Sequence, residues 1–229
     1  MFYSFVVPIY NDGYLAESFC EQYEKEFRQY LKKDNIENDT ELIFVNDGSS
    51  NDSMLLLKKV AKKRKFVKII DFSKNFGQHI ALSCGYENAK GDYVGMLNVD
   101  MQEPPSEIIK LLNFIKEGNY DIVFGLFDER RTPLLNRFTS KIFAITLNYL
   151  TKSDIPLNVT TLRVMNRKFV DKFNLLTEKA RYLPGLENWL GFRHGYLAVL
   201  HKEREVGKSS YNLIKRVKMA IESIISFSD

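Results

Sequence analysis

Residues 93–108 read YVGMLNVDMQEPPSEI, and this stretch decides how the rest of the chain is read. Its left half, residues 93–97, is a short apolar strand. Its right half opens a helix. The pair Pro104-Pro105 bars an earlier start, Ser106 is the expected cap, and Glu107 suits the positive end of the helix dipole. Between the halves sit Asn98, Asp100, Gln102 and Glu103, side-chain oxygens crowded at the C-terminal end of a strand. In an open α/β sheet that edge is where ligands bind. In extended chain, residues two apart face one way, so Asn98, Asp100 and Gln102 are expected to converge. Such oxygen donors suit Mg2+ or Mn2+, with phosphates completing the shell. The plainer alternative is a polar turn that binds nothing.

Working outward, three strand–helix units precede this one. Residues 2–9 (FYSFVVPI) are rich in β-forming types and end at the turn Tyr10-Asn11-Asp12-Gly13. Residues 14–32 carry Leu15, Phe19, Tyr23, Phe27, Tyr30 and Leu31 at helical spacing. A second buried strand spans 41–45, is left by Asn46-Asp47-Gly48-Ser49-Ser50, and precedes a helix over about 52–64. A third strand over 67–72 ends in a polar loop at 73–77, and a helix follows over 78–89. This alternation predicts an α/β fold with a mostly parallel central sheet flanked by helices. Right-handed crossovers then place the loops 10–13, 46–50, 73–77 and 98–103 along one edge. The sequence has neither a G-x-G-x-x-G turn nor a Walker lysine loop, so dinucleotide-fold and P-loop chemistry are not indicated.

With 229 residues, 45% of them hydrophobic, the chain can bury one sizeable core, and a single domain over 1–229 is expected. Its 33 basic and 29 acidic residues leave a net charge of +4, which gives no whole-chain field for nucleic acid. Cys20 and Cys84 make neither a metal spacing nor a disulfide framework, which fits a reducing cytosolic compartment. His79, His194 and His201 are too scattered for a metal site. No basic leader precedes the first strand and no run of about 18 apolar residues occurs. Neither a signal peptide nor a membrane span is therefore expected.

The motifs VVPIYND (6–12), FVNDGSSNDS (44–53), FSKNFGQHIALSCGYENAKGDYV (72–94) and NVDMQEPPSEI (98–108) follow one another in a telling order and spacing. Together they resemble the family-2 inverting glycosyltransferases. Within that family the chain most resembles the polyprenyl-phosphate sugar transferases, the branch that includes dolichol-phosphate mannose synthase. LRVMNRKFVDKF (162–173), GLENWLGFRHGY (185–196) and EREVGKSSYNLIKRVKMAIESIISFS (203–228) extend the resemblance nearly to the end. It implies the GT-A nucleotide-sugar-binding fold, with a nucleotide-sugar-binding half over about 1–125 and an acceptor-side half over about 126–229.

The resemblance also implies roles. Pro8, Tyr10 and Asp12 would line the nucleotide pocket, and Asp47 would accept a hydrogen bond from the base. Asp100, Gln102 and Asn98 would hold the metal on the donor diphosphate, offsetting charge on the leaving group. Two positions depart from the family's pattern. Asn98-Val99-Asp100 stands where Asp-x-Asp is usual, one negative charge fewer. Thr160-Thr161-Leu162-Arg163 stands where the branch has Gly-Asp-Phe-Arg, whose aspartate is a candidate base. Thr161 cannot serve as that base. An acceptor phosphate monoester, with its second pKa near 6, is largely ionised at neutral pH and needs little deprotonation. A sugar hydroxyl would need a carboxylate, for which Glu187 is the candidate.

Residues 126–150 begin with a basic turn, Arg130-Arg131, and continue as an amphipathic segment. Arg204, Lys208, Lys215, Arg216 and Lys218 follow through the C-terminal region, where an amphipathic helix is expected. Such side chains neutralise an acceptor phosphate or, on a helix, sit on anionic lipid; a solvated face is the alternative for 215–218. Arg130, Arg131, Arg204 and Lys208 are the acceptor-phosphate candidates, and Arg204 joins Asp100 and Glu187 as a catalytic candidate. Trp189 is expected in the core or along an acceptor groove. The reading is an inverting, metal-dependent glycosyltransferase, peripheral at the inner, cytosolic face of the membrane. It would move a sugar from a nucleotide-sugar donor to a polyprenyl phosphate. The alternatives are transfer to a hydroxyl of a growing cell-surface glycan, and a non-catalytic nucleotide-sugar-binding module suggested by Asn98 and Thr161.

Overall fold

A computed structural model describes residues 1–127, 156, 158–178 and 182–202. Strands β1 (Tyr3–Ile9), β2 (Thr40–Asn46), β3 (Val67–Asp71) and β4 (Tyr93–Met96) are parallel. Strand β6 (Val159–Asn166) runs antiparallel to β4 and to β5 (Ile122–Leu126), and β7 (His194–Ala198) pairs in parallel with β5. The sheet order is β3-β2-β1-β4-β6-β5-β7. Helices α1 (Ala16–Leu31), α2 (Ser53–Lys63), α3 (Gln78–Asn88), α4 (Pro105–Gly118), α5 (Arg167–Phe173) and α6 (Leu183–Trp189) connect or flank these strands.

Strand β1 shows why the sheet is central. Its Phe5, Val7 and Ile9 pack into one hydrophobic cluster, and the alternate Val6 packs into the other. A strand buried on both faces must be apolar at every position, which is what FVVPI supplies. On the first face α1 lays down Phe19, Tyr23 and Phe27, spaced by four and all fully buried. The Tyr23 and Phe27 rings stack with centroids 4.3 Å apart, and Phe27 meets Phe5 edge-on at 5.1 Å. Burying each such side chain contributes about 2–3 kcal/mol. Lys32, in the left-handed region at φ 55°, ends the helix. On the second face α3 sets Ala81, Leu82 and Tyr86 against Val6, Val94 and Met96.

Two local expectations are corrected. Helix α4 starts at Pro105 with Pro104 as its cap, so Ser106 lies inside the first turn rather than capping it. Proline suits the first helical position because its missing N–H would have no partner there and its φ is already helical. The 98–102 segment is not extended either. Met101 takes φ 55°, and its N–H reaches back to the Asn98 carbonyl at 3.5 Å. Any convergence there comes from a turn, not from strand alternation. Cys20 and Cys84 are both free thiols. Among the described residues no helix is long and apolar enough to cross a membrane. The amphipathic segment expected over 126–150, beyond Phe127, and the C-terminal amphipathic helix lie outside the described residues.

Candidate active site

The C-terminal ends of β1, β2, β3 and β4 share one edge of the sheet, and their loops are stitched together there. Asn11 takes φ 64° and receives bonds at its side-chain oxygen and carbonyl from the second loop: Ser50 N–H to Oδ1 and Asn51 Nδ2 to its carbonyl, both at 2.9 Å. Its own N–H donates to Ser49 Oγ at 2.9 Å. Gly13 N–H donates to Ser53 Oγ at 2.9 Å, and a Cβ on Gly13 would lie 2.5 Å from the Ser53 Cα. Only glycine fits so close an approach. Pro8, the penultimate residue of β1, lies opposite Val45, Tyr10 is half exposed at the rim, and the Asp12 carbonyl accepts the Leu15 N–H at 3.0 Å.

Asp47 is 3% exposed, and its carboxylate accepts the N–H groups of Phe76 at 2.7 Å and Gly77 at 2.9 Å. It therefore holds the loop that enters α3 and sits where the helix dipole favours a negative charge. Burial pushes its carboxyl up, and the two backbone donors oppose that rise. Asp47 thus has a structural role of its own, holding the loop that enters α3. Asp47→Asn leaves one acceptor for two amides, so a loss of about 1–3 kcal/mol is expected, together with weaker nucleoside diphosphate binding. Chemical denaturation and calorimetry check the two effects; unchanged values in both would return Asp47 to an ordinary turn.

The fourth loop is tied to the chain beyond β7. Asn98 Nδ2 donates to Glu103 Oε2 at 3.1 Å and to Thr161 Oγ1 at 2.7 Å. Glu103, 2% exposed, pairs through its other oxygen with His201 Nδ1 at 2.9 Å. That hydrogen bond raises the His201 pKa, against burial. Asp100 Oδ1 accepts the Gln102 N–H at 3.2 Å. The Gln102 carbonyl accepts the Lys202 N–H at 2.8 Å, and Gln102 Nε2 reaches the Lys202 carbonyl at 3.4 Å. In the first turn of α4, four residues on from Glu103, Glu107 Oε2 accepts the Leu200 N–H at 3.1 Å.

Among the described residues no group of three His, Cys, Asp or Glu side chains is arranged to hold a metal ion. The candidate set differs in kind, with amide carbonyls of Asn98 and Gln102 beside the carboxylate of Asp100. The chemistry fits a hard cation. The amide nitrogens of Asn98 and Gln102 are turned to protein acceptors, which leaves each carbonyl oxygen at the opposite end of its amide. With a single charge in the set, a cation held there would need further negative charge from a bound ligand.

Glu187 is fully buried, and both its oxygens accept from Arg163 Nη1, at 2.6 Å and 2.5 Å. Burial raises the Glu187 carboxyl, and the guanidinium beside it opposes that rise. Arg163 Nε donates to the Thr161 carbonyl at 3.0 Å, and the guanidinium lies over the Phe124 ring at 5.4 Å. A carboxylate enclosed in this way cannot meet an incoming hydroxyl, so the expectation of Glu187 as a general base finds no geometry here. Nearby, His79 has a buried Nδ1 without a hydrogen-bond partner among the described residues, and burial followed by Arg163 lowers its pKa to about 4. The sign is fixed. The unfolded histidine takes a proton near pH 6.5 and the folded one only near 4, so stability is complete above about 6.5 and declines as pH falls toward 4. We expect roughly 3 kcal/mol over that window, and a His79→Phe variant should flatten it in denaturant titrations at stepped pH.

A family model described as glycosyl transferase family 2 matches residues 4–173. The chain belongs to glycosyl transferase family 2. The transferase is 34% identical over 229 residues to "Uncharacterized glycosyltransferase YkcC" of Bacillus subtilis (strain 168), covering 99% of this chain and 68% of that protein. It is 31% identical over 217 residues to the undecaprenyl-phosphate 4-deoxy-4-formamido-L-arabinose transferase of Proteus mirabilis (strain HI4320), covering 94% of this chain and 64% of the relative. The chain thus spans about two thirds of the length of these relatives. Among solved structures it matches the mannosyltransferase PcManGT from Pyrobaculum calidifontis in complex with GDP-Man and Mn2+. The TM-score is 0.66 at 16% identity, over 98% of this chain and 63% of that one. The expected GT-A fold holds, and the non-catalytic alternative falls away.

For this glycosyltransferase the structure brings Asn98, Asp100 and Gln102 into one turn and sets Pro8, Tyr10, Asp12 and Asp47 along the same edge. Arg130, Arg131, Arg204 and Lys208, and likewise Lys215, Arg216 and Lys218, lie outside the described residues. Trp189 is 65% exposed, so the core placement is wrong. Asn11, Ser49, Asn51 and Ser53 were not singled out, although the run SSNDS with its small oxygen-bearing side chains is what loop-to-loop bonding requires.

Proposed function

We propose that this glycosyltransferase moves a sugar, with inversion, from a nucleotide-sugar donor to a polyprenyl phosphate at the cytosolic membrane face. The observation that carries the reading is at residue 161. The resemblance puts a candidate base there, and this chain puts Thr161 there, its hydroxyl already bonded to Asn98. Glu103 is engaged by Asn98 and His201, and Glu187 by Arg163. These carboxylates are poorly placed to deprotonate a hydroxyl, and an ionised phosphate needs no such help. The name of the Proteus mirabilis relative, which specifies undecaprenyl phosphate, supports the same acceptor class.

The acceptor phosphate oxygen attacks the anomeric carbon as the bond to the donor diphosphate breaks on the opposite face. Asn98, Asp100 and Gln102 would hold Mg2+ or Mn2+, which when bound supplies positive charge against the departing diphosphate. Pro8, Tyr10, Asp12 and Asp47 bound the nucleotide end. Arg130, Arg131, Arg204 and Lys208 are proposed for the acceptor phosphate and the membrane surface. Transfer from a panel of nucleotide sugars, offered polyprenyl phosphate or oligosaccharides with and without Mn2+, tests the reading. Turnover confined to polyprenyl phosphate is expected; transfer only to oligosaccharide hydroxyls would overturn it.

A further inference from the structure

The two departures from the family's pattern are in contact. Asn98 replaces one expected carboxylate and Thr161 another, and Asn98 Nδ2 donates to Thr161 Oγ1 at 2.7 Å. The second hydrogen on the same nitrogen goes to Glu103 Oε2 at 3.1 Å. An amide nitrogen has two hydrogens, so this one is fully used, and the orientation of the amide is fixed by chemistry. A carboxylate only accepts, so the nitrogen and not the oxygen of Asn98 must face Glu103. Among the described residues no protein donor reaches Asn98 Oδ1. Glu103 is itself held, 2% exposed and bonded to His201 on its other oxygen at 2.9 Å. Thr161 is held through its carbonyl by Arg163, which Glu187 fixes in turn.

We propose that Glu103 is a positioning residue for the donor end of the site: with Thr161 it clamps the Asn98 amide so that its carbonyl oxygen is the atom offered to the cation. Residue 98 is then matched to Glu103 and is not a weakened carboxylate. An aspartate at 98 would set oxygen against oxygen about 3 Å apart, with no hydrogen to donate to Glu103 or to Thr161, so the clamp would be lost. By ligand charge alone Asn98→Asp should tighten Mn2+ binding. The clamp reverses that sign in this chain. The inference rests on the reading of Asn98 as a cation ligand, and the experiment separates the two.

Mn2+ is titrated into the protein in the presence of UDP, and again of GDP, for wild type, Asn98→Asp, Glu103→Gln and the double variant, each with its thermal midpoint. Asn98→Asp alone should weaken Mn2+ about tenfold, the scale of one lost hydrogen bond to a charged group. Adding Glu103→Gln should restore or exceed wild-type affinity, because the new amide can donate to the new carboxylate. If Asn98→Asp alone tightens Mn2+ as much as the double variant does, the proposal fails. A second readout needs no metal. In metal-free wild type both side-chain amide protons of Asn98 should give shifted, slowly exchanging NMR signals, and Glu103→Leu should release one of them. Fast exchange of both in wild type would overturn the clamp, whereas absence of Mn2+ binding beside protected amide protons would overturn only the cation reading.

Discussion

Asp100→Ala is expected to lower sugar transfer by about 10²–10³-fold or more, because it removes the one charged side chain of the proposed cation set. The carboxylate also accepts the backbone N–H of Gln102 at 3.2 Å, within its own turn. Loss of that bond alone is worth about 1 kcal/mol, so stability is measured beside activity. Steady-state transfer and a melting curve on the same preparation decide the matter. Wild-type turnover in the variant would remove Asp100 from the site.

The largest stability effect is expected at Glu187. Truncation to alanine leaves the Arg163 guanidinium buried without its counter-charge, which costs about 3–5 kcal/mol. Replacing both partners with apolar side chains of similar volume, Arg163→Met with Glu187→Leu, should recover most of that loss. Urea denaturation of the single and double variants measures it. A single variant as stable as wild type would show that the pair is not energetically coupled. The prediction also changes how an inactive Glu187→Gln variant is read: lost activity with lost stability reports on the Arg163 anchor, not on a missing base.

Much of the fold was legible because strand–helix alternation is a local signal. Residues 41–45, 52–64, 67–72 and 78–89 lie within a residue or so of β2, α2, β3 and α3, since each is bounded by polar loops and carries its own apolar period. Strands β5, β6 and β7 were not assigned. Strand β6 is inserted antiparallel between β4 and β5 by pairing across some 70 residues, and no local pattern records such a partner. The candidate site divides the same way. Its residue types could be read from NVDMQE, but not the turn at Met101 that gathers them. Nor could the contacts of Asn98 with Thr161 and of Glu103 with His201, which depend on tertiary packing. Glu187 misled for a related reason: a carboxylate in a motif looks reactive until its partner, Arg163, is seen beside it.

The bonds between Gln102 and Lys202 join residues 100 apart. Closing so long a loop is paid for in chain entropy before its contacts return anything, so this connection belongs late in folding. During synthesis, the parallel strands β1 to β4 can assemble from neighbouring units while the open edge of β4 waits for Arg163 to Asn166 of β6. A nascent chain therefore carries a nearly finished nucleotide edge well before the turn at 98–102 acquires its last supports. Donor binding and donor turnover should consequently mature at different chain lengths, the first with the early sheet and the second only once residue 202 has docked.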